Sequence, residues 1–90
     1  MSKEENIDDL IKNNRLGEAA LALDGLIATD PGDAEAWYLR GKVAWRMGER
    51  SRAVTCYEHA AGLDSSSPAG IALEQARDIE AFFNHDLLNP

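Results

Sequence analysis

The sequence predicts an all-α fold of antiparallel helix pairs, and two observations support this prediction. The chain overlays itself at a fixed offset, so that Ala53 falls on Ala19 and Tyr57 falls on Leu23. Apolar residues also recur at the three-and-four spacing of helices, between breaks marked by glycine, proline or asparagine. A fixed period of about 20 to 50 residues indicates stacked repeats, each too small to bury its apolar face alone.

The first two helices are predicted at about residues 3–13 and 16–28. Ser2 and Glu5 have the spacing of a capping box at the start of the first helix. Two asparagines end that helix, and an Asp-Pro-Gly turn closes the second. The apolar stripes consist of Ile7, Leu10 and Ile11 in the first helix and of Leu16, Ala19, Ala20, Leu23, Leu26 and Ile27 in the second.

The third and fourth helices are predicted at about residues 34–47 and 50–63, and together they form a second antiparallel pair. Asp33 is placed to cap the third helix, and Gly48 to end it. The apolar positions of the fourth helix are Ala53, Val54, Tyr57, Ala60 and Ala61.

A fifth helix is predicted at about residues 68–84, after a run of three serines. A serine at the N-cap with Pro68 at the first helical position is typical of a helix start. The last residues, 85–90, are expected to be an extended tail. We therefore predict a single domain over residues 1–90, with a reduced repeat at 1–33, a full repeat at 34–67 and a capping helix.

These residues resemble the tetratricopeptide repeat family, whose motif sets a tryptophan, a glycine, alanines, an aromatic residue and a proline at fixed distances. The matching residues are Trp37, Gly41, Ala53, Tyr57 and Ala60 in the second repeat, and Ala19, Leu23 and Pro31 in the first. Arg40, Ala44 and Ser65 depart from the usual leucine, tyrosine and proline, and Ile7 replaces the glycine of the first repeat. The resemblance implies a right-handed stack of helix pairs that presents a concave groove for protein partners.

Charge and cysteine content limit the classes of partner and compartment. The net charge of -7 argues against nucleic acid or an anionic membrane as a partner. That charge is uneven: residues 1–33 carry -5, residues 34–67 carry +1 and residues 68–90 carry -3. Cys56 is the only cysteine, and there is no pattern of a secretory signal or membrane span. We expect a cytoplasmic protein.

A candidate binding surface follows from projecting the third helix at about 100° per residue. One side, which includes Trp37, Arg40 and Gly41, is expected to face the fourth helix. The opposite side would line the groove of the resembled family, and it is rich in the residue types that dominate binding hot spots. Its members are Glu35, Tyr38, Leu39, Lys42, Trp45 and Arg46.

Several of the groove residues also have a purely structural interpretation. Leu39 is expected to be buried against a neighbouring helix more often than to contact a ligand. Lys42 and Arg46 could be solvated, or paired with the acidic first helix through Glu4, Glu5 or Asp8. If the groove binds a peptide, its cations favour an acidic stretch beside an apolar residue.

The sequence contains no pattern that favours an enzyme, a metal site or a cofactor. His59 and His85 lie far apart in the sequence, without a partner at metal-binding spacing, and Cys56 is interpreted as a packing residue. Gly25 and Gly62 fall inside predicted helices, where close packing or early fraying would explain them.

Two classes of function therefore remain. The first is an interaction module that binds a peptide segment of another protein in a shallow groove. The second is a self-associating structural unit, such as a weak homodimer, whose groove is filled by a second protomer or by the chain's own tail. The tail residues that could fill it are Phe82, Phe83, Leu87 and Leu88.

Overall fold

The chain was examined in a computed structural model, which describes the backbone of residues 3–83 and the side chains of residues 7–79. Over that range it forms five α-helices and no strand. The helices are α1 (Lys3–Lys12), α2 (Leu16–Thr29), α3 (Ala34–Arg46), α4 (Arg50–Leu63) and α5 (Ala69–Phe83). Every predicted helix is confirmed, with each end within one residue of its expected position. The capping box at Ser2 and the tail at 85–90 lie outside the described residues.

Local signals account for the helix ends that were expected. The Asp33 carboxylate accepts a hydrogen bond from the Ala36 amide over 3.1 Å, which caps the start of α3. Gly48 has a φ of 82°, in the left-handed region where glycine carries no steric penalty, and it ends α3. Asn14 takes the same region with a φ of 60° after α1. Ser67 Oγ accepts from the Ala69 amide at the start of α5.

Each helix packs against the next along the chain, which gives the stacked arrangement. Two apolar clusters lie inside the stack. The buried members of the first, between α1, α2 and α3, are Ile7, Ile11, Ala19, Ala20, Leu23, Ala36 and Val43. The buried members of the second, between α3, α4 and α5, are Ala44, Ala53, Tyr57, Ala60, Ala69 and Ala76.

The two helix pairs fill the space between their helices with side chains of different sizes. In the second pair, a Cβ placed on Gly41 would lie 2.5 Å from Cε1 of Tyr57, so the glycine makes room for the ring. In the first pair, the equivalent positions of the repeat hold Ile7 and Leu23, two medium-sized residues that are both fully buried. A medium pair thus replaces a small and large pair at the same place in the repeat, because interiors are filled to nearly constant density.

Candidate functional site

Three side chains of α3 form one continuous surface at the intervals i, i+4 and i+7. They are Tyr38, Lys42 and Trp45, each of them half-buried. The Lys42 ammonium lies 5.6 Å from the centre of the Tyr38 ring, and the Arg50 guanidinium lies 5.5 Å from that of Trp45. Both distances are within the range of cation–π attraction, so the surface combines aromatic rings with positive charge.

Two depressions flank this surface, one between α3 and α5 and the other between the start of α3 and the turn before α5. One, of about 120 Å³, is lined by Trp45, Tyr57, Ala72, Gln75, Ala76 and Ile79. The other, of about 230 Å³, is lined by Ala34, Glu35, Tyr38, Asp64, Ser66, Ser67 and Pro68. Ile79 of α5 is 37% exposed and lines the first depression with Trp45. The helical projection of α3 alone could not identify α5 as the other side of this depression.

The remaining predicted groove residues are divided between the site and the core. Glu35 is exposed and lines the depression beside Tyr38. Leu39 packs against the first apolar cluster, on the side of α3 that faces α2, and lies apart from the Lys42 surface. Its placement agrees with the structural interpretation of this residue.

Arg46 also points away from the Lys42 surface. Its Nη1 donates a hydrogen bond to the carbonyl oxygen of Ile11 over 3.2 Å. Ile11 lies in the last turn of α1, where carbonyl groups lack helical partners and a cation is favoured. Arg46 therefore ties α3 to the end of α1 through the backbone. Among the described side chains, no ion pair joins Lys42 or Arg46 to Asp8.

The opposite side of α3 carries Trp37. Its ring stacks on that of His59 in α4, with 4.2 Å between ring centres and 12° between ring planes. The indole Nε1 donates to the carbonyl oxygen of Pro31 over 2.8 Å. His59 is exposed, as expected for the outer helix, and also covers one face of the indole. Trp37 thus links the turn before α3 to α4.

The position of Arg40 corrects one expectation, namely that its side of α3 faces α4. The residue is buried, and its Nε donates to Oδ1 of Asp24 in α2 over 2.9 Å. No group of the described chain forms a hydrogen bond with its buried Nη1 atom. From the sequence, Arg40 was identified as a departure from leucine on the side expected to face α4. Its partner could not be predicted, because 16 residues separate the two side chains and no local pattern joins them.

Burial changes the acid–base behaviour of two neighbouring residues of α4. It raises the pKa of the Cys56 thiol, and the nearby cations Arg40 and Arg52 offset part of that effect. It also raises the pKa of the Tyr57 hydroxyl to about 12. Both groups are therefore neutral at physiological pH. In the turn before α5, hydrogen bonds from Ser66 lower the pKa of the exposed Asp64 carboxyl.

Two searches limited to the described residues bear on other classes of site. No group of three or more histidine, cysteine, aspartate or glutamate residues in that part of the chain is arranged to hold a metal ion. Within the same part, no helix has the length and apolar character needed to cross a bilayer.

The structure contradicts one explanation offered for the internal glycines. A Cβ placed on Gly25 or Gly62 would meet no atom within 4 Å, so neither residue is required by close packing within the described chain. Gly25 lies inside α2, whereas Gly62 lies in the last turn of α4.

The geometry defines a helical-repeat protein with an open surface on one face. A family model described as a tetratricopeptide repeat matches residues 5–68. The fold is also similar to the solution NMR structure of the Bacteroides fragilis protein BF1650, with a TM-score of 0.86. The two sequences are 33% identical over 99% of this chain and 91% of that chain. No curated protein matches the sequence. The chain belongs to the tetratricopeptide repeat family, a fold that generally mediates protein–protein interaction without catalysis.

Proposed function

We propose that the protein is a non-enzymatic interaction module that binds a peptide segment of a partner along the α3–α5 surface. An acidic residue of the peptide contacts Lys42, and an apolar residue enters the depression between Trp45 and Ile79. The supporting observation is the row of Tyr38, Lys42 and Trp45 beside the depression that Trp45 and Ile79 line. The proposal involves no nucleic acid, membrane or cofactor. Its partner is a protein, and the two proteins meet in the cytoplasm.

Two features of the surface support this choice of ligand. Tyrosine and tryptophan provide large contact areas with little loss of side-chain freedom, and they are enriched at binding hot spots. The middle repeat carries the only net positive charge of the three parts of the chain, +1 between -5 and -3. An acidic segment is therefore attracted to the middle of the molecule and repelled from its two ends.

Arg46 is left out of the proposed contact. Its guanidinium already binds the end of α1, so replacing it would loosen the fold and the effect on binding would be ambiguous. No hydrogen bond or salt bridge joins the side chain of Lys42 or Trp45 to a described residue, although Trp45 packs against the second apolar cluster. Lys42 can therefore be exchanged with less disturbance of the stack than Arg46.

The test is a titration of the isotope-labelled full chain with a synthetic peptide of acidic residues around one leucine, followed by NMR. We expect the largest shifts at Tyr38, Lys42 and Trp45, and weaker binding as salt is raised. Lys42→Glu and Trp45→Ala should each weaken binding about tenfold or more, as removal of a hot spot does.

Arg52→Glu is the matched control, because it makes the same change of charge at an exposed position on α4. It should bind the peptide almost as the wild type does. The proposal fails if the peptide causes no shifts, or if Lys42→Glu and Arg52→Glu weaken binding equally. Self-association is the alternative outcome, and it would appear as shifts at the same residues when the free protein is diluted.

A further inference from the structure

A third opening lies on the first repeat, between α1 and α2 and away from the Lys42 surface. Its volume is about 490 Å³, within the usual range for ligand sites in proteins. The lining is mainly apolar, and its described residues are Ile7, Leu10, Leu21, Ala22, Gly25, Leu26 and Thr29. Leu21 is 75% exposed at its edge, the highest value among the large apolar residues of the described chain. We name this opening the α1–α2 cleft.

The second repeat has an aromatic contact between the corresponding helices. There, the Trp37 ring lies against α4 and stacks on His59. The repeat offset that sets Ala53 on Ala19 places Lys3 at the position of Trp37, and Gly25 at the position of His59. Both members of the stacked pair are therefore replaced in the first repeat. The α1–α2 cleft lies beside Gly25, where the corresponding aromatic contact is missing from the sequence.

Gly25 lines the cleft and leaves the backbone of α2 without a covering side chain at this point. Glycine is less favourable than alanine inside a helix, because it loses more backbone freedom on folding. A Cβ at this position would meet nothing within 4 Å, so no contact of the described chain requires the glycine. A residue without a side chain is suited to a position where a ring from outside lies directly on the helix backbone.

The charge of the surrounding repeat favours one kind of occupant. Residues 1–33 contain three basic and eight acidic side chains, a net charge of -5. Within this segment, Asp8 and Asp9 of α1 are exposed. A basic segment is therefore attracted to this end of the molecule, while an acidic one is repelled.

From the cleft, the missing aromatic pair and the charge, we infer that the α1–α2 cleft binds a basic segment of a partner protein through one aromatic anchor. The anchor lies in the cleft against Gly25. This surface is separate from the α3–α5 surface and selects the opposite charge, so the two could be occupied at the same time by different segments.

A second copy of the chain is a poorer occupant on the same grounds. The end that could stack on the first repeat is α5, which exposes Ile71 and Ile79. Residues 68–90 carry a net charge of -3, however, and the first repeat carries -5. Head-to-tail contact would bring two acidic ends together, which costs free energy at an interface.

The probe for the test is a short synthetic peptide with one tryptophan between lysines, titrated into the isotope-labelled full chain. We expect backbone shifts centred on Leu21, Gly25 and Thr29, with Tyr38 and Trp45 unaffected. Exchanging the peptide's tryptophan for alanine leaves the protein untouched and should weaken binding about tenfold or more. Reversing the peptide's lysines to glutamates should abolish the shifts.

Gly25→Leu should also weaken binding about tenfold or more, because its side chain fills the cleft. Gly62→Leu is the matched control: it makes the same exchange in α4, also without an atom within 4 Å of the new Cβ, and it should bind as the wild type does. Equal binding of the tryptophan and alanine peptides, or equal loss in both variants, would overturn the inference. So would shifts at Leu21 and Gly25 on dilution of the free protein, which would identify a second copy as the occupant.

Discussion

Arg40 of α3 donates a hydrogen bond from Nε to Oδ1 of Asp24 in α2 over 2.9 Å, and so joins the first repeat to the second. The arginine side chain is 5% exposed, while that of Asp24 is 56% exposed. The pair therefore combines a buried cation with a carboxylate at the surface. Most of the cost of removing charge from water falls on the arginine.

Because only the arginine of this pair is buried, replacing Asp24 and replacing Arg40 should change the stability of the fold by different amounts. Asp24→Ala leaves the buried guanidinium without its partner and should lower the free energy of unfolding by about 1–2 kcal/mol, less than for a fully buried pair. Arg40→Leu removes the charge together with its desolvation cost, and it should be neutral or stabilising. Urea unfolding of both variants tests this. A larger loss for Arg40→Leu than for Asp24→Ala would contradict it.

The contact of Gly41 with Tyr57 predicts that even one methyl group is too large at this position. Gly41→Ala places a Cβ 2.5 Å from the Tyr57 ring and should lower the free energy of unfolding by about 1–3 kcal/mol. Gly62→Ala, which has open space around it, should raise that free energy by up to about 1 kcal/mol.

A double variant separates overpacking from other effects at Gly41. The first repeat places Leu23 where the second has Tyr57, so Tyr57→Leu should make room for the alanine. The cost of Gly41→Ala should then be smaller in a Tyr57→Leu background than in the wild type. Identical costs in the two backgrounds would show that the ring is not the obstacle.

The raised pKa of Tyr57 predicts a loss of stability at high pH. Its hydroxyl has a pKa of about 12 in the folded chain, against an ordinary value of about 10. The stabilisation is complete below about pH 10, and it is lost as the pH rises towards 12, because the unfolded chain releases the proton first. The total is at most about 3 kcal/mol. The free energies of unfolding of wild type and Tyr57→Phe should diverge between about pH 10 and 12, and parallel curves would refute the prediction.

The burial of Cys56 predicts slow reaction with thiol reagents. The thiol is 4% exposed, and its pKa is raised, so both access and thiolate content are low. Ellman's reagent should modify the native protein at least about tenfold more slowly than the urea-unfolded chain. A native rate equal to the unfolded rate would show that α4 opens freely at this position.

Much of the architecture could be predicted because its causes are local. Helical periodicity, the Asp33 cap and the Gly48 break each act within a few residues, and they placed all five helices to within one residue of their ends. The residues of the candidate site could not be predicted as well from local patterns. Projection of α3 grouped Leu39 and Arg46 with Lys42, although their contacts lie with other helices.

The amino-acid sequence by itself determined the repeat, the order of the helices and the uneven charge, because these depend on spacing and composition along the chain. The tertiary structure decided which side chains remain available. Arg46 donates a hydrogen bond to a carbonyl oxygen 35 residues away in the sequence, and Arg40 donates one to a carboxylate 16 residues away. Hydrogen bonds act over about 3 Å, so the distances and angles between packed helices, which no local pattern contains, determine whether they form.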